Sequence, residues 1–280
     1  MNAPLRISVV VPTVGRGSLE RCLGALASQT LHPHETVVVR DAEGRGPSWA
    51  RNEGIRRSTG DLVAFTDDDC IPPPDWLERL SGAMARHGAA AAGGTKAETD
   101  PRLRAAASRI SFPADEQVDR AGIVRDTANL MVARAALERL IARDGHAFDE
   151  RMRVAEDVDL AWRIRRRGGV VAWSPVRVEH LRATTSLGYL RHRFRLGWGS
   201  AQFERIQRAA AASEDIAPSV EPPPRRSAAR KVARLLWHKV LGPLDVFRRA
   251  PFPLATVLWL GGKAEAAGTV AGFLLGRIGR

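Results

Sequence analysis

Three consecutive aspartates, Asp67, Asp68 and Asp69, directly follow the apolar run Leu62–Phe65. Like charges this close repel, and each raises the pKa of its neighbours. A divalent cation removes the conflict. Oxygen ligands at a strand end suit Mg2+ or Mn2+, ions that keep waters and share substrate phosphates. The alternative is a solvated Asp-rich turn that caps the next helix. A second acidic cluster, Glu156-Asp157-Val158-Asp159, opens a helical pattern that contains Trp162 and Arg163. Acids in a first helical turn are favoured by the macrodipole. Asp157 can instead point into a crevice and act as a general base. His180 closes the run Val178-Glu179-His180, where it is either a structural side chain or a metal ligand.

These side chains need elements to position them. Leu5–Val11 is nearly continuous Val/Ile and predicts a buried strand, ended by Pro12. A loop, 12–17, leads to Ser18, the N-cap of a helix to about Gln29. Glu35–Val39 is a second strand, Ser48–Ser58 a helix with Trp49, Ala50 and Ile55 available for burial, and Leu62–Phe65 a third strand. Strand, helix, strand, helix, strand implies parallel βαβ units. Ligands of such sheets sit outside the carboxyl ends of the strands, so loops 12–17, 40–46 and 67–74 should line one crevice. Further on, the pattern predicts a helix over Asp75–His87, a strand over Ala89–Ala92, and loop with some helix over 95–125. It then predicts a strand over Leu130–Val132, helices over Ala135–Ile141 and Glu156–Arg166, and short strands over Val170–Trp173 and Val176–Val178. In the second of those helices Val158, Ala161, Trp162 and Arg165 are expected to share the buried face. Ser186–Ala212 reads as a long basic helix.

The 280 residues carry 43 Lys+Arg against 31 Asp+Glu, with 44% hydrophobic, which excludes wholesale disorder. Cys22 and Cys70 are too few for a disulfide scaffold, so a reducing compartment is the default. The charge is uneven: residues 225–280 hold 11 Lys/Arg and 2 Asp/Glu, net +9, and residues 1–224 hold 32 and 29, net +3. A nearly neutral body argues against a nucleic-acid binder, and no specific nucleic-acid partner is expected. The N-terminal apolar run is too short for a secretory signal.

The motifs Ile7-Ser8-Val9-Val10-Val11-Pro12-Thr13, Val37-Val38-Val39-Arg40-Asp41, Ala50-Arg51-Asn52-Glu53-Gly54-Ile55, Gly60 to Asp69, and Glu156-Asp157-Val158-Asp159-Leu160 occur in an order that resembles the family 2 glycosyltransferases of GT-A fold. The resemblance covers about residues 5–200 and includes Phe148-Asp149-Glu150. It implies an α/β, Rossmann-like, mostly parallel central sheet flanked by helices. It also implies inverting transfer of a sugar from a nucleotide-sugar donor (a UDP-, GDP- or dTDP-sugar), assisted by Mg2+ or Mn2+. Carried over by position, Pro12, Thr13, Arg16, Asp41, Arg51, Asp67 and Asp68 fall to the nucleotide sugar, and Asp69 and His180 to the metal. Asp157 falls to the catalytic base, with Glu156 and Asp159 supporting it.

The sequence also departs from the family pattern. Arg40 stands where an acid often precedes Asp41, which bears on base choice. The processive Gln-x-x-Arg-Trp signature is absent; the region reads Arg191-His192-Arg193-Phe194-Arg195-Leu196-Gly197-Trp198 and implies single-sugar addition. A glycosyltransferase domain over 1–212, a Pro-rich linker over 213–227 and a basic, apolar helical tail over 228–280 are expected. Residues 228–249 resemble an interfacial amphipathic helix, while Lys263 and Glu265 make a span through 254–276 costly. The tail lies on or re-enters an anionic membrane surface, spans the membrane once, or packs on the domain. This favours a glycan or lipid-linked acceptor and a cytoplasmic protein, peripheral on the inner face of the membrane. Two competing readings are a sugar-phosphate nucleotidyltransferase, which the loop 12–17 matches poorly, and a non-catalytic membrane or nucleic-acid adaptor.

Overall fold

Ile7, Val9, Val10 and Val11 are all buried, so β1 (Ile7–Thr13) is covered on both faces, as a continuous Val/Ile run demands. The structure, a computed structural model, describes residues 5–101, 104, 112–120, 122, 124, 126–152, 154–181, 185–213, 260 and 263–271. β1 pairs in parallel with β2 (Glu35–Arg40) on one side and β3 (Leu62–Phe65) on the other. The crossovers are α1 (Leu19–Ala27) and α2 (Pro47–Arg57). There follow β4 (Cys70–Ile71), α3 (Trp76–His87), β5 (Ala91–Glu98), β6 (Gln117–Val118), β7 (Leu130–Ala133), α4 (Arg134–Asp144), α5 (Glu156–Arg166), β8 (Val171–His180) and α6 (Ser186–Ser213). The sheet order is β2-β1-β3-β7-β5-β8-β4, with β6 also on β8.

Helices cover both faces. Leu26, Leu77 and Leu80 pack on Val9, Val11 and Met131 on one side. Ile55, Leu137, Leu160 and Ile164 pack on Val10, Phe65 and Trp173 on the other. At the α2–β1 contact a Cβ on Gly54 would lie 2.2 Å from Val10 Cγ1. That close approach explains a glycine inside a helix, where it costs about 1 kcal/mol relative to alanine.

The sheet is mixed rather than mostly parallel. Pairings β1–β2, β1–β3 and β5–β8 are parallel, while β3–β7, β5–β7, β4–β8 and β6–β8 are antiparallel. The βαβ logic holds through β3. After β5 no crossover helix among the described residues returns the chain to the starting edge, so β7 runs back between β3 and β5. β5 also continues to Glu98 instead of stopping at Ala92. The strand passes through Gly93-Gly94, glycines that admit close neighbours: a Cβ on Gly94 would lie 2.2 Å from the Val176 carbonyl oxygen. The two short strands expected over 170–178 are one, β8, whose register shifts opposite Gly93/Thr95. In α5 the buried side chains are Leu160, Ala161 and Ile164, with Glu156, Asp159 and Arg163, not Val158, Trp162 and Arg165. Asp159 and Arg163 neutralise each other at 2.7 Å, which lets a charged pair share the apolar face.

The chain forms two compact units, Met1–Thr99 with Ser111–Arg182, and Asp100–Ile110 with Ala183–Arg280. Within the second, residues 263–271 are helical and touch α6 backbone to backbone: a Cβ on Gly197 would lie 1.9 Å from the Glu265 carbonyl oxygen. Arg193 and Glu265 pair across this contact. No described helix is long and apolar enough to cross a membrane. The expected linker beyond Ser213, the amphipathic helix 228–249 and most of 254–276 lie outside the described residues.

Candidate active site

The loop after β3 gives each of its three aspartates a different partner. Asp67 Oδ1 accepts a hydrogen bond from Arg51 Nη2 at 2.8 Å. Asp68, fully buried, accepts from Thr13 Oγ1 at 2.5 Å and from Arg16. Asp69 Oδ1 faces His180 Nε2 at 3.6 Å, and its other oxygen lies 3.5 Å from Arg16. Two arginines therefore offset the repulsion of the triplet, and Asp69 is the member that faces the histidine. Thr13 also accepts from the Gly15 amide at 2.9 Å, so the loop after β1 is held against the aspartates.

Arg51 ties three segments together. It lies on α2, 3% exposed, and its second nitrogen, Nη1, donates to Glu156 Oε1 at 2.8 Å. Its guanidinium also lies over the Phe148 ring, 5.8 Å from the centroid. The contact fixes the first turn of α5 beside the end of β3. Ala155, just before that turn, has φ 67°, a left-handed conformation that alanine adopts at a cost of order 1–3 kcal/mol. It turns the chain so that Glu156 and Asp157 open the helix at the crevice.

Asp157 Oδ1 accepts from the Val158 amide at 2.7 Å. Burial, then the charges of Glu156 and Asp126, push its carboxyl well above the usual aspartate range, against the pull of the Val158 amide and Arg51. Such a carboxylate is more basic than a solvated one, as a proton acceptor requires.

His180 Nδ1 lies 2.7 Å from Glu98 Oε2. Burial disfavours its charge, but hydrogen bonds to Asp69 and Glu98 outweigh this and push its pKa up to about 9. In the neutral ring, Nδ1–H donating to Glu98 leaves the Nε2 lone pair turned toward Asp69, the arrangement of a ligating histidine with its carboxylate partner. Asp69 and His180 are an oxygen and nitrogen donor set that fits Mn2+ or Mg2+. Cys70 Sγ lies within 4.8 Å of the same ligand atoms. Its thiol is fully buried, and burial with the charge of Asp67 pushes its pKa far up, so it stays protonated and is no ligand for a hard ion.

Of the residues expected at the site, the structure brings together Thr13, Arg16, Arg51, Asp67, Asp68, Asp69, Glu156, Asp157 and His180. Pro12 lies at the end of β1, opposite Val39. Asp41 holds its own loop: its oxygens accept from the amides of Arg45 at 2.9 Å and Gly46 at 2.7 Å. Asp159 stands apart, two residues beyond Asp157 on a helix and therefore on another face, buried against Arg163. Sequence reasoning missed Glu98, Lys96 and Asp126. Lys96 Nζ pairs with Asp126 Oδ1 at 3.2 Å. The signal for the first two was alternation on β5, which the early stop assigned at Ala92 concealed.

The family model "Glycosyl transferase family 2" matches residues 33–139, which hold Asp41, Arg51 and all three aspartates. The chain is 31% identical over 157 residues to the pre-mycofactocin glycosyltransferase of Mycobacterium tuberculosis, covering 50% of this chain and 30% of that protein. It is 27% identical over 164 residues to glycosyltransferase AglE of Haloferax volcanii, covering 47% and 54%. The chain thus matches less than two thirds of either relative's length. A mannosyltransferase from Pyrobaculum calidifontis, solved with GDP-Man and Mn2+, superposes with a TM-score of 0.60 at 19% identity, over 96% of this chain and 87% of that one, and shares the fold. Over residues 33–139 the chain is thus similar to the family 2 glycosyl transferases, and its motif residues stand at the strand ends of a fold shared with a solved mannosyltransferase.

Proposed function

We propose that the protein moves a single sugar, with inversion, from a nucleotide-sugar donor to a hydroxyl of a glycan or lipid-linked acceptor. What supports this is the Asp69–His180 contact at 3.6 Å together with Arg51, which bridges Asp67 to Glu156, the neighbour of Asp157, at 2.8 Å to each. A sugar hydroxyl is a poor nucleophile, and Asp157 accepts its proton as attack proceeds. Asp69 and His180 would hold Mn2+ or Mg2+, and the ion would supply charge neutralisation for the diphosphate. Arg16 stands beside Asp69, 3.5 Å from its second oxygen. The test is calorimetric binding of UDP, GDP and dTDP to the full chain, with and without Mn2+. One nucleotide is expected to bind tightly only with the metal, and Asp69→Ala should weaken that binding about 100-fold, as loss of an ion's ligand shell does. Metal-independent binding, or binding unchanged in Asp69→Ala, would remove Asp69 from the site.

We also propose that the basic C-terminal tail holds the enzyme on the cytoplasmic face of the membrane. What supports this is its net charge of +9 in 56 residues with interleaved Trp, Leu and Val. The full chain should sediment with vesicles rich in phosphatidylserine and stay in solution with phosphatidylcholine alone. Equal behaviour with both lipids would exclude an electrostatic anchor.

A further inference from the structure

Lys96 and Asp126 form an ion pair in the crevice that the chemistry above leaves unused. Their side chains are 26% and 19% exposed, so the pair is largely shielded from solvent but not sealed off. Lys96 stands on β5 two residues before Glu98, and both side chains therefore leave the same face of the sheet. Glu98 in turn holds His180. The same oxygen, Asp126 Oδ1, also accepts from the Ala128 amide at 3.1 Å and caps the 3-10 turn Thr127–Asn129. That turn is anchored by Asn129, which accepts from Trp76 Nε1 at 2.9 Å and donates to the Val176 carbonyl oxygen at 2.9 Å. The pair is therefore built on rigid elements.

It also connects the two halves of the chemistry. The charge of Asp126 acts on Asp157 and is itself acted on by Asp67; Lys96 acts on Asp69 and is acted on by Asp67 and Glu98. By geometry the pair stands beside the donor set, because Lys96 leaves β5 on the same face as Glu98, the partner of His180; a sugar held between that set and the base would meet it. Charge then decides which sugar fits. Asp67, Asp126, Glu156 and Asp157 contribute four carboxylates, and the cations among them, Arg51 and Lys96, already face protein carboxylates. A hydroxyl can donate to Asp126, whereas a carboxylate on the sugar would meet like charge at close range.

We propose that Lys96 and Asp126 form the floor of the subsite for the transferred sugar, where Asp126 accepts hydrogen bonds from its hydroxyls and the pair selects a neutral hexose over a uronic acid. The inference rests on the glycosyl-transfer reading above. Its test compares matched donors, UDP-glucose with UDP-glucuronate and GDP-mannose with GDP-mannuronate, by Kd and kcat/KM with Mn2+. The wild type is expected to favour the neutral member by about 100-fold or more, the scale of a like-charge clash. Asp126→Asn keeps an oxygen for the Ala128 amide. It should raise KM for the neutral donor and shrink the discrimination ratio about tenfold, since a removed repulsion restores the rejected ligand. The double variant Lys96→Met with Asp126→Asn removes both charges, leaves neither unpaired, and should also lose discrimination, by less than the single variant, whose Lys96 ammonium is freed to meet a uronate. A wild type that binds uronate and neutral donors alike, or a ratio unchanged within about twofold in both variants, would overturn the proposal while leaving glycosyl transfer intact. A wild type that binds no nucleotide at all would overturn both.

Discussion

Asp157→Asn is expected to lower kcat about 1,000-fold, within the range that a positioned general base contributes, while the donor still binds with near wild-type Kd. The geometry separates the two readouts: Asp157 bonds the Val158 amide at the start of α5, and the metal donors are Asp69 and His180. The raised pKa adds a second signature. A base works only when ionised, so the acidic limb of the wild-type rate profile should fall well above the ordinary aspartate range of about 3.9. The residual rate of the variant should lack that limb. Stability supplies a third. A carboxyl whose folded-state pKa exceeds its unfolded value favours the fold in its protonated form. That contribution is complete below the unfolded pKa and is lost as pH rises through the folded one. The uncharged amide should therefore melt higher than wild type at neutral pH, with the gap closing in acid. A variant that transfers sugar at near wild-type rate would remove Asp157 as the base.

The part of the fold legible in the sequence is the part written in local pattern. β1, β2, β3 and their crossover helices fall within a residue or two of the periodicity because continuous Val/Ile runs alternate with turn signals. The extent of β5 was hidden because its Gly93-Gly94 answers to a partner strand and to Asn129 rather than to a turn. The antiparallel insertion of β7 depends on what lies beside it in space, which four apolar residues do not encode. The site divides the same way. The acidic runs are visible as runs. Which aspartate meets a cation and which meets the histidine depends on Arg16, Arg51 and His180 arriving from the first loop, α2 and β8. Asp126 carries no sequence signal, because its role comes from Lys96 thirty residues earlier.

Arg51→Met should destabilise the domain more than any other single change at the site, by about 3–5 kcal/mol, the cost of breaking a buried charge pair by removing one partner. The guanidinium is 4% exposed, and the carboxylates it serves, Asp67 and Glu156, are 26% and 11% exposed. Its removal leaves both carboxylates beside Asp157 with no compensating charge between them. Arg51→Lys is not a rescue, since one ammonium cannot reproduce two bonds in a planar fork, 2.8 Å to each partner. Urea titration of both variants measures the loss, and the expected order is wild type, then Lys, then Met. The cause can be separated from lost packing on Phe148 by adding Glu156→Gln to Arg51→Met. Neutralising one orphaned carboxylate should recover a substantial part of the stability, whereas a packing defect would be untouched. Recovery would also show what the clamp does for catalysis. By cancelling Asp67 and Glu156, Arg51 allows Asp157 to ionise among them, so activity should return together with the fold and not before it.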